Sequence, residues 1–203
     1  MTNRPMASST PYAAAVGAIL SFLVVAADAA SPAPAKAPTA AASGKAFSVE
    51  EACKQTAHSD LCVATLSRDP SAKSATDTAA LARVAIQAAQ RNASETATYL
   101  SSIATDDIIG DKTPELQQCL DDCGERYEAA VEQLTDATVA LDGKEYDESV
   151  ALVASSQAEV KMCQKKCQAV PGHKNVLTVR NREVDRLCSV ALAITKLIGG
   201  PPS

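Results

Sequence analysis

The sequence predicts an all-α fold: an antiparallel four-helix bundle that follows an N-terminal helical hairpin and is stapled by disulfides. Ala, Leu, Glu, Gln and Lys dominate residues 47–200, where few alternating β-branched runs occur. Apolar residues in this region recur at steps of three and four, which is the period of amphipathic helices. Two cysteine pairs, "CLDDC" (119–123) and "CQKKC" (163–167), share a spacing of about one helical turn.

The first 46 residues are predicted to lie outside the bundle. Arg4 precedes an apolar run over residues 13–27, and the small residues around position 29 fit the cleavage pattern of a secretory signal peptide. The run is shorter than the ~20 residues that a membrane-spanning helix needs, so no membrane attachment is expected. Residues 30–46, rich in Pro and Ala, predict a flexible leader, because they cannot bury enough apolar surface to offset the entropy lost on ordering. The expected organisation is therefore a signal peptide (1–29), a leader (30–46) and a folded domain (47–200).

Charge and aromatic content argue against nucleic acid as a partner. The chain has 19 basic and 24 acidic residues, a net charge of −5, and no tryptophan. Nucleic-acid binding requires a basic surface that neutralises phosphates, and the sequence shows no basic stripe. A mildly acidic secreted domain suits a neutral or basic partner.

Two short helices are predicted at the start of the folded domain. Ser48, with Glu51 three residues later, forms a capping box that begins the first helix, which carries Cys53. The second helix covers residues 61–66 and ends before Pro70, whose ring disfavours helical backbone in the preceding residue.

Four long amphipathic helices should follow. Thr113 and Pro114 mark the beginning of the second of them, as N-cap and first helical residue. Gly143 is expected to end that helix in the left-handed conformation that glycine favours. The third is expected to bury Val150, Val153 and Val160. Short connections between long helices favour an antiparallel bundle. The predicted spans are 78–103, 113–142, 146–168 and 176–198.

The spacing of the two cysteine pairs predicts two covalent rungs between the second and third long helices. Facing residues of an antiparallel hairpin share a midpoint, and the pairs Cys123–Cys163 and Cys119–Cys167 both have residue 143 as theirs. The crossed pairings require incompatible registers. Disulfides are favoured because an exported protein folds in an oxidising compartment. The alternatives are a zinc site with four thiolate ligands and a single disulfide with two spare thiols.

The other three cysteines have separate interpretations. Cys53 and Cys62 enclose a short loop, which is typical of a local disulfide in a secreted domain. Cys188 lies beside Leu187 near the inward stripe of the last helix, so it is predicted to be a buried free thiol, with an intermolecular bridge as the alternative.

No constellation of catalytic residues is evident. His58 falls inside the short cysteine loop and His173 follows a Pro-Gly pair, so both are interpreted as solvated loop residues. Neither a phosphate-binding glycine loop nor an H-E-x-x-H motif occurs, so no enzyme activity, cofactor or metal is expected. Asn92 begins an N-x-S sequon and is a possible N-glycosylation site at what we expect to be an exposed helix end.

These segments, taken in order, resemble the plant invertase/pectin methylesterase inhibitor family. The opening "CKQTAHSDLCVATLSRDP" and the D-C-x-E-x-Y segment "DCGERYEAAVEQLTDA" are similar to the family's, as are "KEYDESVALVASSQAEVKMC" and "RNREVDRLCSVALAI". The resemblance covers residues 47–198 and implies a four-helix bundle with an N-terminal hairpin. It also implies disulfides Cys53–Cys62 and Cys123–Cys163 and an unpaired Cys188, whereas Cys119 and Cys167 are additions to the family pattern.

The resemblance further implies a secreted inhibitor that plugs the substrate cleft of a carbohydrate-active enzyme in a reversible 1:1 complex. Such a protein would be monomeric when free and would act in the apoplast or cell wall, or alternatively in the vacuole. Invertase inhibitors carry Pro-Lys-Phe at the turn where this chain has Lys144, Glu145 and Tyr146, our candidate target contact. The missing motif favours pectin methylesterase (pectinesterase) as target, with invertase (beta-fructofuranosidase) as the alternative. A secreted helical binding module without inhibitory activity is the alternative of another class.

Overall fold

The computed structural model describes residues 48–105, 112–171 and 177–199, and the helices in these ranges form an all-α unit. The predicted signal peptide (1–29) and leader (30–46) lie outside the described residues. None of the described helices combines the length and the apolar character required to cross a bilayer. The helices are α1 (Val49–Cys53), α2 (Ser59–Leu66), α3 (Pro70–Lys73), α4 (Thr78–Thr105), α5 (Pro114–Asp142), α6 (Tyr146–Cys167) and α7 (Thr178–Lys196), with a 3₁₀ turn at Leu197–Gly199.

The N-terminal hairpin consists of α1 and α2, which the Cys53–Cys62 disulfide joins. The Ser48 side chain caps α1 by accepting a hydrogen bond from the Glu51 backbone N–H. A short helix that the sequence analysis did not predict, α3, follows at Pro70. Proline is favoured at the first position of a helix, so the same residue that stops one helix begins the next.

Helices α4 to α7 form the bundle, in which α5 packs against α4 and α6, and α7 packs against the same two helices. The predicted four-helix bundle is therefore confirmed. Tyr127 of α5 is fully buried at its centre, and its hydroxyl donates a 2.8 Å hydrogen bond to Oδ1 of Asn181 on α7. Burial raises the pKa of Tyr127 well above its ordinary value, so the hydroxyl stays protonated and keeps donating. The bundle interior is rich in alanine, including Ala82, Ala85, Ala89, Ala93, Ala130 and Ala137.

The buried face of α6 contains two serines that the hydrophobic pattern did not reveal. Ser149 Oγ donates to the Ala137 carbonyl at 2.8 Å, and Ser156 Oγ donates to the Ala130 carbonyl at 3.0 Å. Val150, which we predicted to be buried, is only partly so, because the serines define the face that meets α5. Small hydroxyl side chains allow α5 and α6 to approach closely while the hydroxyls stay hydrogen-bonded. The complete buried face is Ser149, Val153, Ser156, Val160, Cys163 and Cys167.

Candidate functional site

The hairpin of α5 and α6 carries two disulfides in one register. Cys123 is joined to Cys163 with a Cα–Cα distance of 4.9 Å, and Cys119 to Cys167 with 5.4 Å. Both distances fall in the usual Cα–Cα range of disulfides. All four cysteines are buried, so these links hold the hairpin from inside. We call the link that includes Cys167, the last residue of α6, the outer rung, and Cys123–Cys163 the inner rung.

The turn between α5 and α6 has its left-handed residue one position later than predicted. Gly143 has right-handed helical backbone (φ −72°), whereas Lys144 has φ 63°. The N–H of Glu145 donates to the Ala140 carbonyl at 2.8 Å, and the N–H of Lys144 to the Leu141 carbonyl at 3.1 Å. These two bonds make a Schellman ending in which the left-handed position is Lys144. The prediction for Gly143 was therefore wrong, because this C-cap residue keeps right-handed backbone and its N–H still donates to the Val139 carbonyl.

The three candidate contact residues lie at this end of the bundle and differ in how much of each is exposed. Lys144 and Glu145 are exposed, whereas Tyr146 is half-buried and packs against the core. Arg83 of α4 pairs with Asp142 beside the turn and ties it to the neighbouring helix. A partner that approaches this end therefore contacts Lys144 and Glu145 first. Tyr146 packs against the core and exposes less of its surface to such a partner.

A row of exposed carboxylates runs along α5, and the sequence analysis did not single it out. We call it the acidic face: Asp121, Glu125, Glu128, Glu132 and Asp136. Steps of three and four place these residues on one side of the helix over about 22 Å. None of the five forms an ion pair with another described residue. The signal was present in the sequence as acids at helical spacing inside an apolar-periodic segment.

The acidic face gives the molecule a strong charge asymmetry. Helix α5 has eight acidic residues and a single basic one, Arg126, so its net charge is −7, whereas the whole chain carries −5. The rest of the chain is therefore slightly positive. Arg126 is also engaged by Glu159 of α6 at 2.9 Å, which leaves it little capacity to offset the acidic face.

Cys188 and Asn92 have surroundings that limit what they can do. Cys188 is an unpaired buried cysteine, and burial raises the pKa of its thiol to about 12, so it stays protonated and poorly nucleophilic.

Asn92 lies in the middle of α4 rather than at a helix end, and its Nδ2 donates to the Ala88 carbonyl at 3.2 Å. Our expectation of an exposed helix end was wrong, because α4 continues well beyond the sequon.

Of the two histidines, only His58 lies among the described residues. His58 is the N-cap residue of α2 and its side chain makes no capping hydrogen bond. His173 lies outside the described residues. The sulfur atoms of Cys119, Cys123 and Cys167 lie within 4.8 Å of one another, but each belongs to a disulfide, which does not supply the thiolates that the zinc alternative requires.

Comparison with known proteins places this arrangement among inhibitors. Residues 48–194 match the model of the family described as plant invertase/pectin methylesterase inhibitor. The cell wall / vacuolar inhibitor of fructosidase 2 of Arabidopsis thaliana is 30% identical over 148 residues, which are 72% of this chain and 80% of that protein. Pectinesterase inhibitor 28 of Oryza sativa subsp. japonica is 28% identical over 180 residues, 85% of this chain and 78% of that protein.

A solved structure supports the fold. The crystal structure of a mutant form A of a pectin methylesterase inhibitor from Arabidopsis aligns with a TM-score of 0.61 at 21% identity, and the alignment covers 71% of this chain and 93% of that one. At this identity the likeness establishes the bundle architecture. Because the family model spans most of the chain, from the first capped helix to the end of the bundle, this protein belongs to the plant invertase/pectin methylesterase inhibitor family.

Proposed function

We propose that this protein is a secreted inhibitor of pectin methylesterase that closes the enzyme's substrate cleft in a reversible 1:1 complex. It has no catalytic activity of its own and acts in the cell wall or apoplast, with the vacuole as the alternative compartment. Family membership supports inhibition of an enzyme as the mode of action. The choice between the two enzymes rests on the acidic face of α5.

Charge complementarity favours pectin methylesterase, the enzyme of the two whose substrate is an anionic polymer. Pectin methylesterase acts on a polymer that gains a carboxylate at each cleaved ester, so a groove that retains this polymer benefits from positive potential. Sucrose, the substrate of invertase, is neutral and needs no such groove. The acidic face presents five carboxylates in a row about 22 Å long. Such a surface suits a groove adapted to a polyanion.

Invertase is the second candidate, and a specific observation favours it. The relative with 30% identity is named an inhibitor of fructosidase. Against it, the Pro-Lys-Phe of invertase inhibitors is replaced by Lys144-Glu145-Tyr146 in this chain.

A titration against both enzymes tests the proposal. The secreted chain should abolish pectin methylesterase activity at one equivalent and leave invertase largely active. Reversing two charges of the acidic face, Glu128→Lys with Glu132→Lys, should slow formation of the complex by about tenfold. Glu183→Lys, which reverses one exposed acid of α7 outside the acidic face, is the control and should have little effect.

Each other outcome contradicts a defined part of the proposal. Inhibition of invertase alone overturns the target. Binding without inhibition of either enzyme identifies a binding module. Hydrolysis of pectin or sucrose by the purified chain contradicts the absence of catalysis.

A further inference from the structure

The two disulfides of the α5–α6 hairpin touch each other. Cys123 Sγ lies 3.4 Å from Cys167 Sγ, although the two sulfurs belong to different rungs. All four cysteines are at most 3% exposed, so the contact is inside the bundle. A sulfur at this distance from a disulfide is in reach of it without any sliding of the helices.

We propose that the two rungs form a thiol–disulfide exchange site, in which opening the outer rung lets the remaining bond move to Cys123–Cys167. A dithiol reductant first opens Cys119–Cys167, which yields two thiols and the oxidised dithiol. The Cys167 thiolate then attacks Cys123 Sγ, and the bond from Cys123 to Cys163 breaks. Cys163 leaves as a thiolate and takes up a proton, so one disulfide and two thiols are present before and after the second step.

Asn181 is placed to assist the departure of Cys163. Its Nδ2 donates to Cys163 Sγ at 3.5 Å, and its side chain is 1% exposed. The Tyr127 hydroxyl donates to Oδ1 of the same amide, which fixes the orientation in which Nδ2 faces the sulfur. A buried N–H donor stabilises negative charge that develops on a leaving sulfur. Asn181 is thus a positioning residue for the exchange.

The outer rung is the one that a reductant should open first. Cys167 is the last residue of α6, and residues 168–171 form a turn. Helix ends open locally more readily than helix interiors. The inner rung lies one turn deeper, so it is protected while α6 stays closed. The exchange keeps one covalent link between α5 and α6 after a two-electron reduction and makes that link mobile.

Serine variants isolate the second step. Cys119→Ser removes the partner of Cys167 and leaves its thiol beside an intact inner rung. We expect this variant to contain both Cys123–Cys163 and Cys123–Cys167 molecules. The matched control, Cys123→Ser, frees Cys163 instead; its sulfur is not in the group of three that lie within 4.8 Å. The control should keep Cys119–Cys167 alone.

Peptide mapping distinguishes the isomers because the sequence separates all four cysteines. Trypsin cleaves at Lys165 and Lys166, between Cys163 and Cys167, and an aspartate-directed protease cleaves at Asp121 and Asp122, between the other two. Free thiols are alkylated after an acid quench. In the wild-type chain under limited reduction, labelling of Cys163 should appear about tenfold faster for each unit of pH, as the thiolate fraction rises.

Two results would overturn the proposal. One is that Cys119→Ser holds only Cys123–Cys163, with Cys167 as the sole labelled cysteine of the hairpin at every pH. The other is that the Cys123→Ser control rearranges as readily as Cys119→Ser, since exchange would then proceed through unfolding rather than through the 3.4 Å contact.

Discussion

Lys144 occupies a backbone conformation that residues with a Cβ avoid. Its φ of 63° lies in the left-handed region, which costs roughly 1–2 kcal/mol for an ordinary L-residue. The residue is exposed and stands at the end of the bundle beside Glu145. Strain of this kind persists only when the surrounding structure enforces it. Here the Schellman bonds to Ala140 and Leu141 enforce it.

Paired substitutions at the turn test this conformation. Lys144→Gly should raise the free energy of unfolding by about 1 kcal/mol, because glycine adopts the left-handed region without a steric penalty. Gly143→Ala should be neutral or stabilising by about 0.5 kcal/mol, because Gly143 is right-handed and an added Cβ would meet no atom closer than 3.5 Å. Urea unfolding of the two variants measures both. A marked loss of stability in Gly143→Ala, with no gain in Lys144→Gly, would restore the left-handed assignment to Gly143.

The turn also shows that local residue propensity does not determine which residue takes the left-handed conformation. Glycine is the residue most often found at the left-handed end of a helix, so propensity pointed to Gly143. The structure places Gly143 within the regular hydrogen bonding of α5, since its N–H donates to the Val139 carbonyl at 3.0 Å. The position at which the last helical bond forms depends on how α5 and α6 pack, and local propensity does not contain that information.

At the level of helices, the cysteines predicted more than the hydrophobic pattern did. A shared midpoint specified how α5 and α6 face each other, because a disulfide requires both partners at one level of the hairpin. The pattern of apolar residues did not identify Ser149 and Ser156 as core residues, because a hydroxyl is buried only where a carbonyl is available to accept from it. Those carbonyls belong to α5, so the tertiary arrangement had to be known first.

The two rungs should stabilise the hairpin in a non-additive way. Each rung closes a loop of 40 or 48 residues, but once one is present the other closes only a small ring. Removing either pair as a double serine variant should therefore cost about 2 kcal/mol, and removing both about 6 kcal/mol, which is more than the roughly 4 kcal/mol that the two losses add up to. Serine at both positions of a rung avoids a free thiol. Calorimetry or urea unfolding of the three variants measures the losses.

Strict additivity in that series would contradict the expectation. It would mean that the two links restrict independent parts of the unfolded chain, or that serine itself destabilises each buried position by a fixed amount. The Cys53–Cys62 link in the α1–α2 hairpin is unaffected by these variants and serves as an internal control for correct oxidation.

Charge is distributed unevenly along the chain, since α5 alone carries −7 and the whole chain −5. A partner that approaches the acidic face therefore meets five exposed carboxylates. The total charge of −5 conceals this, because positive charge elsewhere in the chain partly cancels it. Net charge was readable from composition, whereas the row of five carboxylates becomes visible only when the acids of α5 are placed at helical spacing.

The carboxylates of the acidic face should make the rate of complex formation depend on salt concentration, and this dependence tests their role. We expect the association rate with pectin methylesterase to fall as ionic strength rises, because the Debye length shrinks from about 30 Å at 0.01 M to about 10 Å at 0.1 M. The dissociation rate should change much less, since steering acts on the encounter. Glu128→Lys with Glu132→Lys should flatten the dependence, whereas Glu183→Lys on α7 should retain the wild-type slope. Association rates at four ionic strengths, measured for all three proteins, test this prediction.

If the double variant kept the wild-type slope, the acidic face would not be the surface that guides the encounter. The argument for a basic groove on the enzyme would then lose its main support.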